Sequence, residues 1–271
     1  MRLGLDLGAS KLAAARISAG GRAVDTRRWP TGRGTTPTAL SALLREVRAW
    51  AGAVRSVGLG FPGLVDARAG VARSSVMLDG WVDVPLRGLV ENAFEAPAAV
   101  DNDVNAAALG ELRARAEDGE STSSLLFVSL GTGVGGAIVA DGRLVRGTYG
   151  MAGEIGHLDT GLEARPCGCG LSGCVGALAS GEAFAAGARQ RALACEAVSR
   201  GLAAAVTLLD PGLVVLGGGV VDHRPEVVAH LAALTGARLM PAFAAATRFE
   251  RARAGAWSGA YGAAALVQEA A

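Results

Sequence analysis

The chain has 271 residues, of which 51% are hydrophobic and 19% are charged, and its formal net charge is +1. This composition is typical of one large or two modest folded domains, and it argues against a disordered chain and against nucleic acid or an anionic membrane as partners. Asp6 and Lys11 interrupt the N-terminal apolar stretch and no apolar run reaches the ~20 residues that cross a bilayer, so we expect a cytoplasmic protein without a signal peptide.

Predicted strands and helices alternate along the chain. Strands at 2–7 and 11–18 flank a Gly-Ala-Ser turn, and apolar residues at helical spacing predict a helix over 37–53. The stretches 20–37 and 115–123 are predicted to be polar or Gly-rich loops. The further predictions, in chain order, are strands at 54–60 and 98–100, a helix at 105–115, strands at 124–130 and 137–140 around a glycine-rich turn at 131–136, Ala-rich helices over roughly 180–209, a strand at 213–216 and a helix at about 258–270. This alternation implies an α/β fold with mixed sheets.

Two strand–turn–strand loops of similar composition, at 6–11 and 131–136, lie about 125 residues apart. Their repetition predicts two similar halves that face a cleft. We place the boundary near residue 105, which gives an N-terminal lobe of 1–104 with the C-terminal helix at about 258–271, and a C-terminal lobe of 105–257.

The first loop has the residue types of a phosphate site. Gly8 allows close approach of the backbone, Ser10 can donate to phosphate oxygens, and Asp6 can hold Mg²⁺ through water. Lys11, the only lysine, follows directly. A plain hairpin turn is the alternative.

The second loop has four glycines in six residues, among them Gly131 and Gly133 on either side of Thr132. It is neither a Walker A loop nor a Rossmann fingerprint, and a phosphate cradle is favoured over a structural bulge. A third glycine turn at 217–219, which includes Gly217 and Gly218, can support an adenine or a ribose, although a simple strand-to-helix turn explains it equally well.

A cluster of thiols and one imidazole has the spacing of a metal site. It comprises His157, Cys167, Cys169 and Cys174. These are the ligands that a closed, tetrahedral structural Zn²⁺ site prefers. The alternative is a set of free thiols, but Cys195 is the only other cysteine, and a disulfide is disfavoured in a chain without signs of secretion.

Polar residues at 101–105 follow a short strand and precede a helix. An N-cap is the common explanation for Asp or Asn there, yet one cap does not need so many polar side chains. A carboxylate at such a strand end can accept a proton from a substrate hydroxyl, which is the expected role of a protein base in phosphoryl transfer.

Motifs along nearly the whole chain resemble the ROK family of bacterial repressors and sugar kinases, within the hexokinase–actin ATPase superfamily. DLGASK and SLGTGVGGAIVADGRLVRG resemble the two phosphate loops, and DNDVNAAALGE resembles the signature around the catalytic aspartate. GLGFPGLVD, LDGWVDVPL, GEIGH with CGCGLSGC, and DPGLVVLGGGVV resemble the family's further segments.

The resemblance implies two actin/hexokinase-like lobes, which are ribonuclease H-like, with mixed sheets around a nucleotide cleft. It assigns the general base to Asp103 and sugar contacts to Gly63, Asn102, Glu154 and His157, with zinc on the other nitrogen of His157. Phosphates would lie against Gly8, Ser10, Thr132 and Gly133. The implied cofactors are ATP with Mg²⁺ and a structural Zn²⁺, and the implied assembly is a homodimer. Because the first strand begins at the N-terminus without a helix-turn-helix, DNA binding is not expected.

Three features depart from the family pattern. Gly176 stands where a glutamate usually contacts the sugar, Met77 replaces an asparagine, and the region 181–209 is short. They leave the sugar specificity, the nucleotide wall and the oligomer interface open.

Three functions fit these patterns to different degrees. An ATP-dependent kinase of a hexose, amino sugar or cyclitol is favoured. A non-catalytic sugar sensor of the same fold is the alternative. A zinc hydrolase is disfavoured because four protein ligands leave no position for water.

Overall fold

The computed structural model describes the main chain of residues 1–269 and the side chains of residues 1–268. The helix predicted at the C-terminus begins at Ser258, and residues 270 and 271 of that prediction lie outside the described part. Strands and helices alternate and form mixed sheets, which confirms the predicted α/β class.

Within residues 1–269 the structure has thirteen β-strands, which we number in chain order. They are β1 (Arg2–Leu7), β2 (Lys11–Ile17), β3 (Ala23–Pro30), β4 (Ser56–Phe61), β5 (Leu64–Asp66), β6 (Val71–Ser74), β7 (Val82–Val84), β8 (Ala98–Asn102), β9 (Leu125–Leu130), β10 (Val134–Ala140), β11 (Arg143–Val145), β12 (Leu213–Gly217) and β13 (Arg248–Arg251).

The same described part has ten α-helices. They are α1 (Pro37–Ala51), α2 (Leu86–Phe94), α3 (Asp103–Glu117), α4 (Val175–Leu178), α5 (Gly181–Ala185), α6 (Ala188–Leu209), α7 (Gly219–His223), α8 (Glu226–Gly236), α9 (Pro241–Ala246) and α10 (Ser258–Glu269). Two 3₁₀ turns span Ile155–His157 and Gly255–Trp257.

Helix α1 shows how local sequence sets the bounds of an element. The Thr36 side chain accepts a hydrogen bond from the Ala39 amide, and Pro37 occupies the first turn, where a missing N–H costs nothing. The helix ends at Ala51 and is capped by Gly52, whose φ of 69° suits a residue without a Cβ.

The chain divides into two compact units, each of which is described by itself. The first comprises Met1–Glu120, Arg146–Met151 and the C-terminal segment from Trp257, and the second comprises Ser121–Val145 and Ala152–Ala256. The first unit shares its sheet and α10 with the predicted N-terminal lobe of 1–104, but it also includes α3. Helix α3 packs along α10 so closely that a Cβ on Gly262 would lie 1.6 Å from the Ala106 carbonyl oxygen.

The first unit contains a five-stranded sheet in the order β3-β2-β1-β4-β8. Strands β1, β2 and β3 are antiparallel neighbours, whereas β4 and β8 run parallel to β1. Helices α1 and α2 cover one face through a core that includes Leu3, Leu5 and Leu44. A separate three-stranded antiparallel sheet is formed by β5, β6 and β7.

The other face of this sheet packs against α10 at very short range. A Cβ on Gly4 would lie 1.8 Å from the Ala260 carbonyl oxygen, and one on Gly58 would lie 1.6 Å from the Ala263 carbonyl oxygen. Glycine in the strands and alanine in the helix therefore allow the helix backbone to lie directly on the sheet.

The second unit repeats the strand arrangement of the first. Its five-stranded sheet has the order β11-β10-β9-β12-β13, with an antiparallel meander followed by two parallel strands. The long helix α6 lies in its core. This helix is apolar and long enough to cross a membrane by length and composition, but 56% of its apolar window is buried in the structure, as in core helices in general.

One loop prediction is wrong, and a second is wrong only at its first three residues. The stretch 20–37 contains strand β3, an edge strand whose only buried residue is Trp29. Its exposed arginines give no apolar alternation, so the sequence lacked the usual strand signal. The stretch 115–123 overlaps α3 at 115–117, where Arg115 is buried in an ion pair with Glu111, and residues 118–123 form the predicted loop.

Candidate active site

The turn between β8 and α3 carries the predicted base and one predicted sugar ligand. The Asn102 side-chain oxygen accepts hydrogen bonds from the amides of Val104 at 2.8 Å and Asn105 at 3.2 Å, so Asn102 is the N-cap of α3. Its amide nitrogen donates to the Gly63 carbonyl at 3.1 Å. The structure therefore brings together Gly63, Asn102 and Asp103, and the capping explanation applies to Asn102.

Asp103 is the first residue of α3 and is half-buried. Its Oδ1 accepts a hydrogen bond from the Val104 amide at 3.0 Å. The positive end of the helix dipole lies at this position and favours the ionised carboxylate. The local geometry thus suits a carboxylate that is charged and accessible.

Asp101 supports the same turn from inside the unit. Its side chain is 2% exposed, and its Oδ1 accepts from the Asn105 side-chain amide and from the Asn102 main-chain amide, both at 2.8 Å. Its Oδ2 accepts from Arg146 Nε at 2.7 Å. Sequence reasoning missed this network, because 45 residues separate Arg146 from Asp101 and no motif connects them.

The first predicted phosphate loop is the turn between β1 and β2. The Gly8 amide donates to the Lys11 carbonyl at 2.8 Å. Thr31, just after β3, supports the turn: its hydroxyl donates to the Gly8 carbonyl at 2.8 Å and its amide to the Ser10 carbonyl at 3.1 Å. Ser10 and Lys11 are both exposed at this turn.

Asp6 lies on β1 beside this turn. Burial raises the pKa of its carboxyl to about 6, and the charges of Lys11 and Arg28 oppose that effect. A Cβ on Gly259 would lie 2.5 Å from the carboxyl carbon, so α10 backs the Asp6 side chain directly. A carboxylate of this kind fits outer-sphere binding of Mg²⁺.

The second predicted phosphate loop is shorter than expected. Its bend covers residues 131–133, and the Gly131 amide donates to the Gly133 carbonyl at 2.9 Å. Thr132 is exposed, and a Cβ on Gly131 or Gly133 would meet open space. Gly136 instead belongs to β10, where its Cβ would lie 2.6 Å from the Gly153 carbonyl oxygen. Packing within the second unit explains that glycine.

Close packing also explains the third glycine turn. Gly217 is the buried last residue of β12, and Gly218 has a φ of 89°. A Cβ on Gly218 would lie 2.5 Å from the Leu130 carbonyl oxygen. A nucleotide contact at these two residues stays a prediction.

Glu154 and His157 lie together at the 3₁₀ turn of the second unit. Glu154 Oε2 is 3.8 Å from His157 Nε2, while His157 Nδ1 is 3.5 Å from Cys167 Sγ. Burial raises the pKa of Glu154, and the His157 charge opposes this. The two ring nitrogens thus face different partners, as the dual role predicted for His157 requires.

The four predicted metal ligands converge. One ligand atom from each of His157, Cys167, Cys169 and Cys174 lies within 4.8 Å of all the others. The Sγ atoms of Cys169 and Cys174 are 3.8 Å apart. Tetrahedral Zn²⁺ with Zn–S bonds of ~2.3 Å places two sulfurs about 3.8 Å apart. The group is therefore compatible with a structural zinc.

Main-chain hydrogen bonds fix the loop that carries these ligands. The Cys167 amide donates to the Leu171 carbonyl at 2.7 Å, and the Thr160 amide donates to the Gly173 carbonyl at 3.0 Å. The Thr160 hydroxyl also donates to the Gly173 carbonyl at 2.9 Å. Cys195, in contrast, is buried in α6 and does not belong to the cluster.

Comparisons with known proteins agree with these motifs. A sequence model described as "ROK family" matches residues 2–199 and 192–270. A glucokinase of Halalkalibacterium halodurans is 36% identical over 192 residues, which are 68% of this chain and 57% of that protein. An N-acetylmannosamine kinase of Escherichia coli (strain 55989 / EAEC) is 34% identical over 249 residues, which are 90% of this chain and 79% of that protein.

A solved structure extends the likeness to the whole chain. The ROK family glucokinase from Streptomyces griseus, in complex with glucose and AMPPNP, superposes with a TM-score of 0.82 at 28% identity and covers 99% of both chains. The chain nevertheless spans less than two thirds of the Halalkalibacterium glucokinase.

Proposed function

The chain belongs to the ROK family, and on that premise we propose that it is an ATP-dependent sugar kinase. It transfers the γ-phosphate of ATP to a hydroxyl group of a hexose or a hexose-like substrate. The observation that carries the proposal is the half-buried Asp103 carboxylate at the start of α3, in a chain similar to a glucokinase and an N-acetylmannosamine kinase.

Asp103 acts in this proposal as the general base. It accepts the proton of the acceptor hydroxyl as that oxygen attacks phosphorus. The Val104 amide that donates to Oδ1 orients the carboxylate, and the network of Asp101 with Arg146 and Asn105 fixes the turn beneath it. An ionised base in a fixed orientation is what proton transfer at this position requires.

Four residues contact the sugar in this proposal. Asn102 has one amide hydrogen beyond the bond to Gly63, and it can donate to a sugar hydroxyl. In the second unit, Glu154 and the Nε2 atom of His157 supply further polar contacts, while Nδ1 faces the thiols. Gly63 presents main-chain groups beside Asn102.

The nucleotide contacts rest on the two hairpin turns. Ser10 and Lys11 of the first unit, and Thr132 with Gly131 and Gly133 of the second, bind phosphate groups in this proposal. Gly8, Gly217 and Gly218 complete the set. Mg²⁺, which Asp6 would hold through water, supplies neutralisation of the phosphate charge.

A zinc ion bound by His157 and the three thiols would supply structure rather than chemistry, since four protein ligands fill its coordination sphere. Its role here is to fix the ring of His157 and, through it, the segment of Glu154. The family resemblance also supports two further proposals, a homodimer and a cytoplasmic location, and light scattering of the purified protein checks the first.

The test is a panel of sugars with ATP and Mg²⁺, with release of ADP as the readout. The panel includes glucose, N-acetylmannosamine, other amino sugars and cyclitols. Asp103→Asn should reduce kcat by roughly 10²-fold or more on any active substrate, because the base is lost. Asp25→Asn, an exposed residue of β3, is the matched control and should leave kcat unchanged.

The alternative function is a non-catalytic sugar-binding sensor of the same fold. Gly176, which removes an acceptor that family members use for the sugar, favours it, as does the short region 181–209. Calorimetry, combined with the ADP-release assay, separates the two functions. If a sugar binds but no sugar in the panel causes ADP release, the sensor is supported. Full activity of Asp103→Asn would refute the assignment of the base.

A further inference from the structure

A cavity of about 490 Å³ lies in the first unit beside β8, the last strand of its sheet. Its walls come from helix α2, from the turn after β5, from Arg146 and from Leu266 of α10. The volume falls in the range of small-molecule sites, roughly 300–1,000 Å³. The described residues that line it do not include Gly63, Asn102 or Asp103. The cavity therefore shares Asp101 and Arg146 with the support of the candidate active site, but none of the residues proposed to contact the sugar.

Three guanidinium groups and two carboxylates surround this cavity, and their charges do not balance. The residues are Arg68, Arg87, Arg146, Glu91 and Asp101. Arg146 pairs with Asp101 at 2.7 Å. Glu91 uses its Oε1 to accept from the Ala98 amide at 3.2 Å. Among the described residues, neither Arg68 nor Arg87 has a carboxylate partner, so the cavity carries excess positive charge.

Arg87 is fixed in place but keeps an unused donor. One of its terminal nitrogens donates to the carbonyls of Ala67 and Arg68, both at 2.8 Å. Its Nε atom is buried and has no hydrogen-bond partner in the described structure. That atom faces Gly70 and not the cavity, but the other terminal nitrogen, Nη1, makes no hydrogen bond within the described residues and can donate to a ligand.

Arg68 provides the second free cation. Its side chain is exposed on the turn after β5, and no hydrogen bond or ion pair of this side chain occurs within residues 1–268. The planar fork of an arginine matches the oxygens of a phosphate group in two parallel hydrogen bonds. One hydrogen-bonded and one exposed arginine at the same cavity thus offer donors to an anion.

We propose that this cavity binds a small phosphorylated molecule through Arg68 and Arg87. The shared chemistry is a phosphate group, which orthophosphate or a phosphomonoester can supply. The volume exceeds that of a phosphate group alone, and the apolar side chains of Ala99 and Leu266 line the remainder. These two features favour a phosphomonoester with an organic part.

The test is a titration of the full-length protein with orthophosphate and, separately, with glucose 6-phosphate. Calorimetry gives the affinity, and the amide resonances of Ala99 and Val100 on β8 report binding at this place. Arg68→Glu should weaken binding at least about tenfold, because it replaces a charge-assisted hydrogen bond with repulsion. Arg45→Glu, an exposed residue of α1 that does not line the cavity, is the matched control.

Tighter binding of glucose 6-phosphate than of orthophosphate identifies a phosphomonoester site, and the reverse order identifies a free-phosphate site. Equal affinities of Arg68→Glu and Arg45→Glu would overturn the proposal, as would binding without any change at Ala99 and Val100. The titration contains neither ATP nor an acceptor sugar. Phosphate binding can therefore be measured even if the protein has no kinase activity. A titration without binding would refute the phosphate site and would not bear on the proposed kinase activity.

Discussion

A single methyl group at Gly58 should displace helix α10 from the first sheet. The Cβ of Gly58→Ala would lie 1.6 Å from the Ala263 carbonyl oxygen, whereas ordinary contact needs about 3.4 Å or more, so main chain rather than a side chain has to move. Overpacking in a close-packed core costs about 1–3 kcal/mol, and more where the backbone must shift. We expect the free energy of unfolding to fall by about 3 kcal/mol, which corresponds to a Tm lower by about 6–12 °C.

The same substitution at Gly88 is the matched control. Gly88 lies in helix α2, and its Cβ would meet nothing within 4 Å. Alanine is a better helix former than glycine, so Gly88→Ala should raise stability by about 0.5–1 kcal/mol. Urea unfolding of both variants measures the difference. If Gly58→Ala were as stable as the wild type, the inferred contact of α10 with the sheet would be refuted.

Three further outcomes follow from the structure. Burial raises the pKa of the Asp6 carboxyl from its usual 3.8 to about 6 in the folded protein, so ionisation of this group lowers stability as pH rises through that interval. Asp6→Asn should therefore be more stable than the wild type at pH 7 by up to about 3 kcal/mol, and equally stable below pH ~4. Urea unfolding at several pH values measures the difference. Cys169→Ser should lower the zinc content of the purified protein, measured by metal analysis, and should make the 155–175 loop more sensitive to limited proteolysis. Cys195→Ser, outside the cluster, should change neither quantity, and equal zinc contents of the two variants would contradict the proposed ligands. Glu111→Gln should cost about 1–3 kcal/mol, because it removes a charge-assisted hydrogen bond between two side chains that are 0% exposed, while Glu120 continues to pair with Arg115. Glu117→Gln, in an exposed pair on the same helix, should cost less than about 0.5 kcal/mol, and similar unfolding midpoints of the two variants would count against a buried pair.

Sequence patterns predicted the elements that carry their own local signals. The hairpin of β1 and β2 has apolar strands around a short turn, and α1 combines helical spacing with a cap and a terminal glycine. The metal cluster was also predictable, because its ligands all lie between His157 and Cys174 and need no distant partner. Local information was sufficient in these three cases.

Long-range contacts account for what the sequence did not reveal. Trp29 is the only buried residue of strand β3, and its ring centroid lies 5.5 Å from that of Trp50. Because the other residues of β3 are not buried, they show no alternation of apolar and polar residues. The sequence placed Gly136 in a phosphate turn, but close contact with the Gly153 main chain explains why this position is a glycine. The support that Arg146 gives Asp101 depends on residues 45 positions apart, which no single-sequence pattern connects.

Helix α10 follows the whole second unit in the chain, yet it covers strands β1 and β4, which precede that unit. Until it emerges, the face of β1 and β4 that bears Gly4 and Gly58 has no cover, whereas every residue of the second unit has already been synthesised. The second unit can therefore fold before α10 has been synthesised, whereas the first unit must wait for α10. A truncation that removes α10 should expose this face of β1 and β4 to proteases and chaperones.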